Sequence, residues 1–341
     1  MDQHTVPFAY LSRGWAIKDM DRDSAKFYKL GADSNIDRIH IVEASTGKDF
    51  YGPDDILTRL DNESPIAFKK IKLIYDEQHS PAPQVITQAL NELTIIFKTA
   101  FCQNLRTKAM NNILSKLLKQ IFKDFSKDDT IVLQKAILDD LENFRFTSFS
   151  FYVCISEVEK DSLCTSDNPV LLLDHSDLER DARKINGLTI NPFFNFESNP
   201  VIVYPLNSSL LLCLTMVPTI YEYESEKDRY APPRLMSFLS LLLTRGIRLV
   251  NLLLRRQSNC IFSRNVETLD TVINYMPPNL IVRRNKVSFD DQKLKSEINM
   301  VDGKSENIKN LARTLERNFF PPPEEREAIQ RIVIVKDKFE L

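Results

Sequence analysis

The spacing of apolar residues along the chain switches between a period of two and a period of 3.6, and the switches mark the elements. Residues 1–50 alternate short apolar pieces with turns. Within them "RIHIVEASTGKDF" predicts two short strands, 38–43 and 48–51, across a turn at Ser45–Gly47. From Gln84 to about Lys123 the pattern is helical, and neither Gly nor Pro occurs between Pro83 and Pro169. The β-branched and aromatic run "TSFSFYVCISE", 147–157, predicts a strand. "NPVLLLD" and "NPVIVYPLNSSLLLCLTM" predict two or three more. A long helix is expected over about 233–258, opened by Pro232 and Pro233, and "RQSNCIFSRN" then ends in a short strand. After Asn265 the chain turns polar, with "FPPPEE" at 320–325 as an extended spacer. No internal repeat appears. The expected fold is α+β, with long helices packed on a small mixed or antiparallel sheet over residues 1–265. A partly helical, polar C-terminal extension follows over 266–341.

Two helices depart from simple amphipathicity. Wound at 100° per residue, the first places Lys98, Lys108, Lys116, Lys119 and Lys123 on one stripe and Met110, Leu114, Leu117 and Ile121 opposite. Gln103 and Arg106 fall with the apolar set. A guanidinium on a buried face keeps its charge, so Arg106 requires either an internal carboxylate or an anionic ligand. The lysine stripe reads as a solvated face. In the second helix Ser237, Ser240, Thr244, Arg248, Asn251 and Arg255 form a thin polar stripe facing water or a polar cavity. Seven arginines and no acid occur between Asp228 and Glu267, which is either internal complementarity or a local positive surface for phosphates.

Composition narrows the classes. In 341 residues, 43% are hydrophobic and 27% charged, which describes a globular chain, and a formal net charge of −2 argues for no partner. Only 7 glycines occur, with no GxGxxG or GxxxxGK[ST] phosphate loop. Five cysteines without CxxC spacing read as reduced packing residues. The start "MDQHTVPFAY" lacks a signal-peptide pattern, and Arg245 and Arg248 interrupt the most apolar stretch. The expectation is a cytoplasmic protein without a membrane span.

Six segments in order resemble the uncharacterised bacterial family known as domain of unknown function 4238. They are "HTVPFAYLSRGWA", "KDFYGPDDILTRLDNE", "FCQNLRTKAM", "TSDNPV", "VYPLNSSLLLCL" and "VNLLLRRQSNCIFS". The likeness runs from the N-terminus to about Asn265. Gly14 and Trp15 depart from the Asn-Phe-like residues usual there. The resemblance carries over His4, Pro7, Arg13, Glu63, Gln103, Arg106, Ser166, Asp167, Asn168, Pro169, Pro205, Leu206 and Asn251. It implies no established activity; its context is mobile-element and phage-defence genes.

The stretch "TSDNP" before Val170 has two readings. Asp and Asn bond to nearby backbone and Pro169 favours an extended Asn168, so it can be a turn entering a strand. Alternatively, Asp167 meets Arg106 and Asn251 at a strand end, with His4 brought in by the N-terminal segment. On that reading the protein is a nuclease-like enzyme acting on nucleic acid or nucleotides. His4 transfers a proton, Asp167 orients it or binds a divalent metal, and Arg106, Arg13 and Arg248 hold phosphate. Gln103, Ser166, Asn168 and Asn251 complete the ligand contacts. There is no paired-histidine metal motif, no GxSxG elbow and no Arg-Asn-x4-His signature. The alternative is a non-catalytic sensor or interaction protein of a defence or mobile-element system.

Overall fold

The computed structural model describes residues 2–4, 10–11, 14–17, 26–40, 46–48, 55–77, 83–143, 149–173, 187–192, 200–218, 233–275, 280–284, 295–298, 300–319 and 332–334. Its fold is α+β. The N-terminal part holds β1 (Asp2–His4), β2 (Lys26–Leu30), β3 (Ile36–His40) and β4 (Thr46–Lys48). Four helices follow: α1 (Asp55–Glu77), α2 (Pro83–Leu105), α3 (Lys108–Ile121) and α4 (Lys127–Asn143). Then come β5 (Phe149–Glu157), β6 (Thr165–Ser166), β7 (Leu171–Leu173), β8 (Gly187–Asn191), β9 (Val201–Asn207) and β10 (Leu210–Pro218). The C-terminal third contains α5 (Pro233–Arg245), α6 (Arg248–Gln257), β11 (Ile261–Ser263), α7 (Val266–Asn274), β12 (Ile281–Arg284), α8 (Lys304–Phe319) and β13 (Ile332–Ile334).

The larger sheet is mixed, with seven strands in the order β12-β8-β7-β9-β10-β5-β13. Its centre is the antiparallel β9–β10 hairpin and β5, whose register sets Cys213 opposite both Val203 and Cys154. Both edges come from beyond Asn265: β12 runs parallel to β8 and β13 parallel to β5. The region expected as a partly helical, polar extension supplies both edge strands of this sheet, and α8 packs against α4. The "FPPPEE" spacer lies outside the described residues. A second sheet, β3-β2-β11-β6, joins the N-terminal hairpin to the middle of the chain. Fully buried Phe27 and Phe262 meet there with centroids 4.9 Å apart.

Three local expectations are corrected. Of the expected strands 38–43 and 48–51, residues 38–40 lie in β3, and 41–43 and 49–51 fall outside the described residues; Thr46 and Gly47, expected in a turn, belong with Lys48 to β4, which pairs with β1 while β3 pairs with β2. The helix expected over Gln84–Lys123 breaks at Arg106–Thr107, because Thr107 is extended and its Oγ accepts the Met110 N–H at 3.1 Å, capping a new helix. The helix expected over 233–258 bends by 110° at Gly246, whose φ of +76° suits a residue without Cβ. That bend divides the polar stripe: Asn251 is buried while Thr244 and Arg248 are exposed. Of the lysine stripe, Lys116, Lys119 and Lys123 are exposed, Lys98 is half-buried on α2, and the Lys108 side chain falls outside the described residues. No single helix among the described residues is long and apolar enough to cross a membrane.

Candidate functional site

The N-terminal segment reaches the large sheet through one short turn. The Trp15 and Ala16 N–H groups both donate to the Leu11 carbonyl, at 3.0 and 3.1 Å, which fixes Tyr10 and Leu11 inward. Gly14 allows this approach, since a Cβ there would lie 3.0 Å from the Leu206 carbonyl oxygen and 3.3 Å from Asn207. Its own carbonyl accepts the Ser208 N–H at 3.3 Å. The segment is thus laid directly along the β9–β10 turn.

Tyr10 joins this turn to the aromatic groups around it. Its hydroxyl donates to the Pro205 carbonyl at 2.6 Å and shares a 2.9 Å hydrogen bond with Thr165 Oγ1. Its ring stacks on Tyr204 at 5.5 Å, and Phe68 of α1 meets Tyr204 edge-on at 5.8 Å. Burial pushes the Tyr10 phenol far above its ordinary range, so it acts as a donor and not as an acid. Tyr204 is buried, and its hydroxyl makes no hydrogen bond among the described residues. It lies within electrostatic reach of Asp61 and Arg106.

Above Tyr10 opens a cleft of about 360 Å³, lined by Tyr10, Gly14, Pro65, Phe68, Leu206 and Leu210, with Lys69, Lys72 and Asn207 as its polar members. Positions 61, 65, 68 and 72 of α1 share one helical stripe, so Asp61 lies one turn before the cleft wall. Lys72 is bound to Glu157 at 2.6 Å and Asp76 at 2.9 Å. Lys69 is exposed and makes no hydrogen bond or ion pair among the described residues.

The expected centre is distributed differently. Arg106 is buried, as its wheel position required, but its Nη1 donates to Asp61 at 3.0 and 3.2 Å. Asp61 belongs to α1, which packs along α2, so the end of α2 meets the start of α1. Asp167 instead accepts the Asn259 N–H and Nδ2 at 3.1 Å each and the Cys260 N–H at 3.4 Å. The two residues occupy separate networks, which corrects the expected Arg106–Asp167 pair.

The rest of "TSDNP" performs structural work. Ser166 Oγ accepts the Asn168 N–H at 3.1 Å, and the Asn168 and Val170 carbonyls accept from Gln257 Nε2. The stretch is a turn that fastens β6 and β7 to the end of α6. Asn251 is buried and bridges Ser162 and Cys164, both at 2.8 Å. Gln103 is buried on α2, and Arg248 is exposed at the start of α6. The His4 backbone lies opposite Thr46, while its side chain and Arg13 fall outside the described residues.

Sequence reasoning missed Tyr10, Asp61, Lys69, Thr165 and Tyr204. Four of them lie inside the family-like segments or beside them, but a pattern of letters does not say which members touch. Among the described residues no group of three or more His, Cys, Asp or Glu is placed to hold a metal ion. The cysteines are free and four are buried; burial, with the nearby Asp167 charge, pushes the Cys260 thiol up to about 12. Comparison with known proteins matches no family model, no curated protein and no solved structure.

Proposed function

We propose that this chain is a non-catalytic sensor whose cleft over Tyr10 binds a small anionic ligand of the nucleotide class. The observation that carries the reading is Lys69, an uncommitted ammonium at the rim of a cleft walled by Pro65, Phe68, Leu206 and Leu210. A flat ring suits such walls and a phosphate suits the ammonium. The cleft volume of about 360 Å³ is within the range of small-ligand sites. Occupancy has a direct route inward, because α1 carries Phe68 on Tyr204 and Asp61 on Arg106. A role in a phage-defence or mobile-element system, suggested by the family resemblance, belongs to the same proposal.

This reading is preferred to a nuclease-like enzyme because Arg106 and Asp167 already have protein partners, in separate places. Calorimetric titration with AMP, ATP and inorganic phosphate tests it, with melting temperature as a second readout. Nucleotide is expected to bind and raise the melt, and Lys69→Ala to weaken binding about tenfold, the worth of one charged contact. Absence of heat and of any melting shift with all three ligands would overturn the reading. Turnover of nucleotide would restore the enzymatic one.

A further inference from the structure

Leu206 and Asn207 are neighbours on β9, yet both line the cleft over Tyr10. In a regular strand consecutive side chains point to opposite faces of the sheet. A register shift accounts for the exception. Leu210 of β10 lies opposite Asn207, but the next residue, Leu211, lies opposite Pro205, so Leu206 is an extra residue on β9. Such a bulge re-aims the side chains beside it, and here it brings an amide to the cleft next to Leu206 and Leu210.

The turn that carries Asn207 is tied down by its surroundings. Ser208 Oγ donates to Asp161 Oδ1 at 2.6 Å, and the Ser208 and Ser209 carbonyls accept the Leu163 and Val158 N–H groups at 3.0 and 2.9 Å. Within the turn, Asn207 Oδ1 accepts the Ser209 N–H at 2.8 Å. An amide nitrogen cannot accept that hydrogen, so the bond settles which end of the Asn207 side chain is oxygen. Oδ1 is committed to the turn. Nδ2 makes no hydrogen bond among the described residues, so Asn207 is left with two N–H donors and a fixed orientation.

We propose that Asn207 makes the cleft selective for a nucleotide whose base carries a ring carbonyl, as hypoxanthine, guanine and uracil do, over one with an amino group in that place. The inference rests on the nucleotide reading of the cleft. The other polar side chains of the cleft, Lys69 and Lys72, are donors too, so the ligand has to bring the acceptors. Lys69 carries a full charge and suits the phosphate. Asn207 is neutral, stands beside Leu206 and Leu210, and suits the edge of a ring held by those walls. A base carbonyl accepts from Nδ2. An amino group at the same point sets donor against donor and leaves both unmatched.

The test is calorimetric titration of the full chain with inosine monophosphate (IMP) and AMP, whose purines carry a carbonyl oxygen and an amino group, respectively, at position 6. IMP is expected to bind about tenfold more tightly, the worth of one hydrogen bond gained and one donor clash avoided. Asn207→Asp keeps the oxygen that accepts the Ser209 N–H and puts an acceptor where Nδ2 was. Its added charge should weaken both nucleotides, but the preference should reverse toward AMP. Asn207→Ala should bring the two affinities together. Equal binding of IMP and AMP by the wild type overturns the inference and leaves the nucleotide reading standing. A loss in Asn207→Ala that is the same for both nucleotides, with the wild-type ratio kept, places the amide on the phosphate and also overturns it. Failure of both nucleotides to bind overturns the nucleotide reading, and this inference with it.

Discussion

Arg106 and Asp61 hold each other across the α1–α2 pair, the guanidinium Nη1 lying 3.0 Å from one carboxylate oxygen and 3.2 Å from the other. The arginine side chain is 5% exposed and the aspartate 26%, so the cation is the more deeply desolvated partner. Removing the carboxylate deprives the buried cation of this ion-pair partner. Asp61→Ala should therefore cost about 2–3 kcal/mol, below the full penalty of a wholly buried pair because Asp61 still meets water. Replacing both together, Arg106→Met with Asp61→Leu, should cost less than Asp61→Ala alone. Urea unfolding of the three proteins checks this ordering.

Asn251 ties two backbone groups that otherwise face the core. Its Oδ1 accepts the Cys164 N–H and its Nδ2 donates to the Ser162 carbonyl, both at 2.8 Å. Asn251→Ala leaves a buried donor and a buried acceptor unmatched, and should destabilise by about 2–4 kcal/mol. Asn251→Asp keeps the acceptor but sets a carboxylate oxygen against the Ser162 carbonyl, so it should also melt well below the wild type. A ligand-binding role would instead leave melting near normal in the unliganded protein.

What the sequence shows and what it conceals differ by range. The strands 149–157, 201–207 and 210–218 were legible because each is a run of β-branched or apolar residues without a competing period. The buried position of Arg106 was legible too, since a helical wheel reports facing. Its partner was not. Asp61 is 45 positions away, and nothing in a one-dimensional pattern separates it from neighbouring acids. The break at Thr107 was concealed by the absence of Gly and Pro, although Thr three residues before Met110 is a sound N-cap. β12 and β13 are too short, at 4 and 3 residues, for periodicity to rise above the polar sequence around them.

Gly246 turns the chain between α5 and α6 with φ of +76°, and a Cβ there would meet nothing within 4 Å. Only backbone strain opposes a side chain at this place. Gly246→Ala should cost about 1–2 kcal/mol, the penalty of a left-handed conformation for an L-residue. Gly246→Asn should cost less, because Asn tolerates that region. A Gly14→Ala substitution should behave differently: its Cβ would lie 3.0 Å from the Leu206 oxygen, so contact and not conformation sets the cost. Melting curves of Gly246→Ala, Gly246→Asn and Gly14→Ala, with nucleotide titration of the last, distinguish the two causes.

Asp167 supplies a pH dependence of definite sign. Burial raises its pKa above the ordinary carboxylate value, and the hydrogen bonds from Asn259 and Cys260 offset this only in part. A raised pKa means that the folded protein holds the proton more tightly than the unfolded chain. The stabilisation from protonation is complete below the unfolded value of about 4 and is lost as pH rises through the folded value. Ionised Asp167 therefore costs stability at neutral pH. Asp167→Asn cannot ionise, so the stability of the wild type relative to this variant should increase as pH is lowered from about 7 toward about 4. The comparison by urea midpoint cancels the other carboxylates, which titrate alike in both proteins. A difference that stays flat, or grows toward neutral pH, would mean that the hydrogen bonds outweigh desolvation and that Asp167 stabilises the turn as an anion.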